Sequence, residues 1–343
     1  MDKELKKKKG NGKKISPGLV CIILGCAVAA VGFISLFAGR YPLSPGTVWH
    51  VLTTGGGTEL ENNIVWSIRL PRVLLAFLVG AGLATSGASF QGVFRNPMVS
   101  PDVLSVSSGA SFGAVLGIMI SGYAYGVITV SALVFGILSV FLTYWFSRIK
   151  GKTTTLSLIL SGMVMSAFFN ALVSLAKYTA DADTQLPAIT YWLLGSFAST
   201  TYKNVLTIVF PVLIGIAVMI AMSHKINILS LGDEEAYSLG VNPTRTRMII
   251  IFAATLVTAS CIAVPGILGW VGLIIPHIAR MMVGPNHKWL IVTSTILGAS
   301  FMAVMDLLAR TLIQSEIPVG VLTALIGAPF FIILFKRTKE VRG

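Results

Sequence analysis

Apolar residues in this chain neither alternate, as in a half-buried strand, nor leave a solvated stripe, as on a surface helix. They come in long blocks, near residues 18–39, 68–93, 103–121, 124–147, 155–176, 204–222, 247–265, 267–283, 289–310 and 319–335. Each is close to the roughly 20 residues that a helix needs to cross bilayer hydrocarbon. Short polar stretches punctuated by Gly and Pro separate them. The pattern predicts an all-α polytopic membrane protein with about ten transmembrane helices. Ten is even, so both termini lie on one side.

Composition agrees. Of 343 residues, 55% are apolar and only 11% charged, and the mean hydropathy is +0.83. A soluble domain carries roughly 25% charged residues to cover its surface. A soluble enzyme, a nucleic-acid binder and a disordered chain are excluded as first readings.

The net charge of +13 acquires meaning from its placement. Lys3, Lys6, Lys7, Lys8, Lys9, Lys13 and Lys14 precede the first apolar block. That block is about 22 residues, longer than the 7–15 of a signal-peptide core, and does not end in an A-x-A exit. It reads as a span, with a basic tail set against anionic headgroups. With the N-terminus inside, Arg95, Arg148, Lys150, Lys152, Lys225, Arg245, Arg247, Arg280, Lys288, Lys336, Arg337, Lys339 and Arg342 are also inside. Arg40, Arg69, Arg72, Lys177, Lys203 and Arg310 are outside. The excess fixes both termini as cytoplasmic. The expected organisation is a tail over 1–17, one membrane domain over 18–335 and a second tail over 336–343.

The spans are rich in small residues. Gly80, Ala84 and Ala88 share one helix face, as do Gly109, Gly113 and Gly117; such stripes let helices approach closely in lipid. Pro265, Pro276 and Pro329 mark kinks or breaks. Cys21, Cys26 and Cys261 read as small buried residues, and His277 has no clustered partner, so neither a metal site nor a cofactor site is expected. Gly151-Lys152-Thr153 lacks the preceding Gly of a phosphate loop, since residue 146 is Phe; it reads as a basic turn. Gly55-Gly56-Gly57 reads as a flexible outer connection. Asp102 suits a helix start. Asp306 and Arg310, four apart, share a face near the outer end of the ninth span. A self-satisfied pair and a transport role for Asp306 are both open. No chain of carboxylates resembling a proton relay is present in the spans, which argues against a secondary transporter. An intramembrane enzyme would need paired carboxylates or spaced His residues, and an ion channel would need its own coupling or selectivity site.

Four ordered segments carry a resemblance. The first runs from Ile68-Arg69-Leu70-Pro71-Arg72 through Gly80–Gly87 and Phe90–Pro97 to Pro101–Gly109. The second is Leu231-Gly232-Asp233-Glu234-Glu235-Ala236 with Leu239-Gly240. The third is Gly266 to Arg280, and the fourth joins Asp306, Arg310, Pro318-Val319-Gly320 and Gly327-Ala328-Pro329-Phe330. Together they resemble the signature of the FecCD-like permeases of ATP-binding-cassette (ABC) importers, a family that includes permeases for iron-siderophores, haem and cobalamin.

The resemblance implies a multi-pass subunit of the cytoplasmic membrane, a homodimer or close heterodimer, and a translocation path between the two copies. It implies two separate ATPase subunits below and an extracytoplasmic substrate-binding protein above. The chain has no nucleotide motif of its own, so it is expected to be a transport subunit and not an enzyme. The inside segment at about 224–245 resembles a coupling segment that seats in the ATPase, carried by Gly232, Asp233, Glu234, Glu235, Ala236, Leu239 and Gly240. Arg69, Arg72 and Arg310 match arginines that dock the binding protein; interfacial snorkelling, and for Arg310 service to Asp306, stand as the other readings. Arg95, Asn96 and Pro97 are expected at a cytoplasmic gate. The expected cargo is a bulky metal chelate, an iron-siderophore ahead of cobalamin or haem.

Overall fold

The computed structural model describes residues 16–149 and 152–340. The expected tails at 1–17 and 336–343 therefore lie outside the described residues up to residue 15 and beyond residue 340. The tip of the 151–153 turn, residues 150 and 151, lies outside them as well. Its flanks form a two-residue antiparallel pairing, Arg148–Ile149 with Lys152–Thr153.

Among the described residues everything else regular is helical. In chain order the helices are α1 (Pro17–Phe37), α2 (Pro45–Thr54), α3 (Glu59–Asn62), α4 (Leu70–Val93), α5 (Val106–Ser121), α6 (Tyr125–Phe146), α7 (Thr155–Thr179) and α8 (Gln185–Leu194). Then come α9 (Tyr202–Ala221), α10 (Ser223–Leu229), α11 (Asp233–Ser238), α12 (Pro243–Ala263), α13 (Val271–Val283), α14 (His287–Thr311) and α15 (Val319–Glu340). A π-helical stretch, Asn63–Arg69, leads into α4. Several starts follow from side-chain caps. Ser44 Oγ accepts the Thr47 N–H at 3.0 Å and Asn242 Oδ1 accepts that of Arg245 at 3.0 Å, each with Pro next in sequence. Both are favoured N-terminal signals.

Helices α1, α4, α5, α6, α7, α9, α12, α13, α14 and α15 coincide with the ten expected spans. Among the described residues seven helical runs are long and apolar enough to cross a membrane alone, while Val106–Ser121, Val271–Val283 and Val319–Ile332 are shorter. Helix α13, with 13 residues, is only about 20 Å long against a core of about 30 Å. The non-helical segment 264–270 before it supplies the rest. Irregular backbone is tolerated at that depth only inside protein, and Val264 and Leu268 are buried. The Pro265 carbonyl accepts the Ser196 N–H at 2.7 Å. Pro276 and Pro329 sit within α13 and α15, as does Pro211 within α9.

The outer connections hold more structure than their sequence suggested. Gly55–Gly57 are the connection between two short helices, α2 and α3, and a further helix, α8, lies between α7 and α9. At ten residues each, α2 and α8 are too short to register as spans. Val48 and Val51 of α2 pack on Val65, beside Phe37, Leu43 and Leu52.

Helix α4 is the centre of the bundle. It is 83% buried over its most apolar stretch and touches α9, α12, α13 and α14. Small residues create these crossings. A Cβ on Gly80 would collide with the Gly298 carbonyl of α14, and one on Gly87 with the Gly272 carbonyl of α13. One on Gly82 would lie 2.6 Å from Cys261 Sγ of α12. Gly109, Gly113 and Gly117 bring α5 against α6 in the same way. The small-residue faces read from the sequence are therefore contact faces.

This packing gives a graded expectation. Gly87→Ala must push α4 from α13 and should destabilise the protein by about 1–3 kcal/mol, the usual cost of overpacking. Gly126→Ala, on α6 with nothing within 4 Å of the new carbon, should leave the thermal midpoint in detergent unchanged or raised. Equal midpoints for the two variants would contradict the packing argument.

Candidate functional site

The inner face gathers two of the expected clusters into one. The segment at about 224–245 folds as two short helices. Ile226 and Leu229 of α10 and Ala236 of α11 are fully buried and anchor it. Helix α11 opens with Asp233, Glu234 and Glu235, acidic groups favoured at a helix N-terminus. Its end is closed by Gly240 at φ +76°. The Gly240 N–H donates to Tyr237 O at 3.0 Å and the Val241 N–H to Ala236 O at 2.8 Å, the paired bonds of a Schellman motif. Glu234, Glu235, Leu231, Tyr237 and Leu239 remain exposed. An apolar trio on a cytoplasmic turn is a surface suited to a protein partner.

Arg95, Asn96 and Pro97 terminate α4. The Arg95 N–H donates to Gly92 O at 3.2 Å and the Asn96 N–H to Gln91 O at 3.1 Å, a second Schellman motif. Here the left-handed position, φ +50°, is occupied by arginine rather than glycine. That conformation costs an ordinary residue on the order of 1 kcal/mol, so the side chain has to justify it. The Arg95 guanidinium reaches the Asp233 carboxylate. Arg247, in the first turns of α12, forks onto the same carboxylate with bonds of 2.8 and 2.6 Å. Asp233 thus joins the inner end of α4, α11 and the base of α12. The two guanidinium groups, Arg247 first, hold its carboxyl below the usual range. The groups are 20–48% exposed, where ion pairs contribute at most about 1 kcal/mol. Position, not stability, is what this joint supplies.

The outer face differs. Arg69, Arg72 and Arg310 were expected on the outer side, available to a docking partner; all three are buried, at 3%, 6% and 4% exposure. Arg69 Nη1 donates to Leu36 O and Phe37 O at 2.7 and 2.9 Å, and Nη2 to Tyr41 O at 2.7 Å. It therefore caps the C-terminus of α1, whose last carbonyls otherwise lack partners. Arg72 Nε donates to Asp306 Oδ1 at 2.7 Å and its Nη groups fork onto Glu316. Arg310 Nε lies 3.5 Å from Asp306 Oδ2, and its Nη2 donates to Ser35 O at 2.7 Å. Asp306 and Arg310 do form the i, i+4 pair expected of them. Glu316, partly buried and not singled out by the sequence, completes the set. The cluster pins α1, α4, α14 and the 312–318 connection together.

The whole chain can now be placed. The FecCD transport family model matches residues 27–337. This chain belongs to the FecCD transport family. It is 41% identical to the molybdate import permease MolB of Haemophilus influenzae over 95% of its own length and 96% of that protein's. It is 38% identical to the cobalamin import permease BtuC of Halobacterium salinarum, with 88% and 82% of the two chains covered. Identity to the hemin transport permease HmuU of Yersinia pestis is 32%, covering 97% and 99%. A solved inward-facing conformation of a metal-chelate type ABC transporter matches with a TM-score of 0.85 and 38% identity, covering 93% of this chain and 99% of that one. As a FecCD permease this protein is a multi-pass membrane subunit of an ABC importer, and it is not itself an enzyme. Such permeases work with ATPase subunits and binding proteins.

The outer cluster yields a direct expectation. Asp306→Ala leaves Arg72 and Arg310 buried without their shared partner and should destabilise the protein by about 3–5 kcal/mol. A thermal midpoint within a degree of the unaltered protein would show that the cluster is not buried as described.

Proposed function

We propose that this permease imports a bulky metal chelate, of the iron-siderophore class ahead of cobalamin or haem. The observation that carries the reading is the match, over nearly the whole chain, to an inward-facing metal-chelate type transporter. A second reading, import of an oxyanion such as molybdate, is favoured by the 41% identity to the molybdate permease. Reconstitution with the cognate binding protein, followed by mass spectrometry of the ligand that protein retains, separates the two. An iron chelate, corrinoid or haem supports the first reading, and bare molybdate overturns it.

In this proposal two copies of the chain enclose the path and two ATPase subunits sit beneath. The coupling segment 224–245 delivers the stroke, with Glu234, Glu235, Leu231, Tyr237 and Leu239 facing the ATPase. Arg95, Asn96 and Pro97 form the inner gate, and Asp233 ties gate to lever through Arg95. On the outer face Arg69, Arg72 and Arg310 serve binding-protein docking by bracing the helix ends that form its seat.

The strained Arg95 supplies a test in which stability and function move in opposite directions. Arg95→Gly relieves the left-handed backbone and should keep or raise thermal stability by up to about 1 kcal/mol. It removes the joint to α4, so uptake per ATP hydrolysed in proteoliposomes should fall several-fold. Unchanged coupling in that variant would exclude a role for the joint.

A further inference from the structure

Two irregular segments meet inside the bundle. The connection 94–105 leaves the inner end of α4 and passes through a 3-10 turn at Pro101–Leu104 before α5 starts. The segment 264–270 leads from α12 into α13. They come together at Gly272, where a Cβ would lie 3.0 Å from Leu83 O and 3.2 Å from Pro101 Cδ. Leu83 lies about 20 Å along α4 from its outer end, so the meeting point is deep in the span. Backbone outside helices is tolerated at that depth only within protein or around a cavity. Two of the three described non-glycine residues at positive φ, Ser105 and Trp270, stand at these two helix starts. Such strain persists where the surroundings impose it, and it gathers at functional sites.

A cavity of about 250 Å³ occupies the junction. Leu83, Ile262, Leu268, Trp270 and Leu273 make most of its wall, and Asp102 is the one ionisable residue that lines it. Asp102 is exposed, so its carboxylate is open to a ligand. One oxygen accepts from Ser107 Oγ at the start of α5. Among the described residues no other group donates to the carboxylate, and no cation pairs with it. Nearby helix starts offset such a charge only in part, by at most about half an elementary unit each. A carboxylate beside an apolar wall is costly until a cation and its donors join it.

We infer that Asp102 is a specificity-determining residue that receives a positively charged, hydrogen-bond-donating arm of the cargo, of the alkylammonium type. The cavity is smaller than the roughly 300–1,000 Å³ that enclose a drug-sized ligand, so it takes one projecting group and not a whole chelate. The ammonium pairs with the carboxylate, and its methylene stem lies on the apolar wall. A doubly charged oxyanion meets the same carboxylate as a repulsion. The inference deepens the metal-chelate reading and rests on it for the nature of the cargo; the charge preference rests on Asp102 and its cavity.

The test has a binding arm and a transport arm. For binding, the full chain in phosphatidylcholine nanodiscs is titrated at pH 7 with butylammonium, butanol and butyrate, which are alike in size and differ in charge. The ¹³Cγ signal of Asp102, assigned through its loss in Asp102→Glu, is followed. Butylammonium should shift it saturably and about tenfold more tightly than butanol, the effect of one charged hydrogen bond. Butyrate should leave it unmoved. A signal that butylammonium does not move, or moves no more tightly than butanol, overturns the inference. For transport, the importer with its ATPase and binding protein in proteoliposomes is offered a ferric trihydroxamate with a free amine, and its N-acetylated form. Asp102→Asn, which keeps an acceptor for Ser107, should lower the amine-to-acetyl uptake ratio several-fold, and Asp102→Glu should restore it. A ratio that Asp102→Asn leaves unchanged overturns the inference. Transport of neither chelate, with butylammonium still bound at Asp102, counts against the chelate reading and supports the charge-selective site.

Discussion

The close approach of α4 to its neighbours is the constraint on which the structure depends. In hydrocarbon the hydrophobic effect does not draw helices together, so contact area and interhelical hydrogen bonds must. Gly80 against Gly298 and Gly87 against Gly272 reduce two crossings to backbone on backbone. Thr85 Oγ1 and Thr295 Oγ1, 2.6 Å apart, add a hydrogen bond between α4 and α14.

The two ends of α4 carry charge clusters of opposite energetic character. At the outer end the buried Arg72 and Arg310 share Asp306, and Arg72 also meets Glu316. Removing any partner there strands a buried charge. At the inner end Arg95 meets Asp233 in a half-exposed joint whose net stabilisation is small. The first is suited to holding a shape and the second to passing a movement without resisting it. A left-handed arginine at the inner end fits this division, because the backbone accepts strain to aim one side chain.

Much of this was legible in the sequence. Block hydrophobicity located ten helices, and the Gly80, Ala84, Ala88 and Gly109, Gly113, Gly117 stripes located their contact faces, because both signals arise from local periodicity. Gly240 and the acidic run at Asp233 marked the ends of α11 for the same reason. What the sequence concealed was pairing across distance. Arg72 and Glu316 are 244 positions apart, and Arg95 and Asp233 are 138 apart. No periodicity links such positions, so the carboxylate partners of Arg72 were not legible. The short outer helices α2 and α8 were hidden for another reason, being too brief to carry a period.

The central claim is that the inner end of α4 and the coupling segment form a standing joint, kept throughout the transport cycle. The most direct measurement is ATP-driven uptake by an importer in which that joint is made covalent. Arg95→Cys and Asp233→Cys, in a background with Cys21, Cys26 and Cys261 replaced, can be bridged by a reducible bifunctional linker. Uptake that persists with the bridge closed, at a rate above the unbridged double variant, is the predicted result. Uptake abolished by the bridge and restored by reduction would contradict the account, because the two elements would then have to separate in order to work.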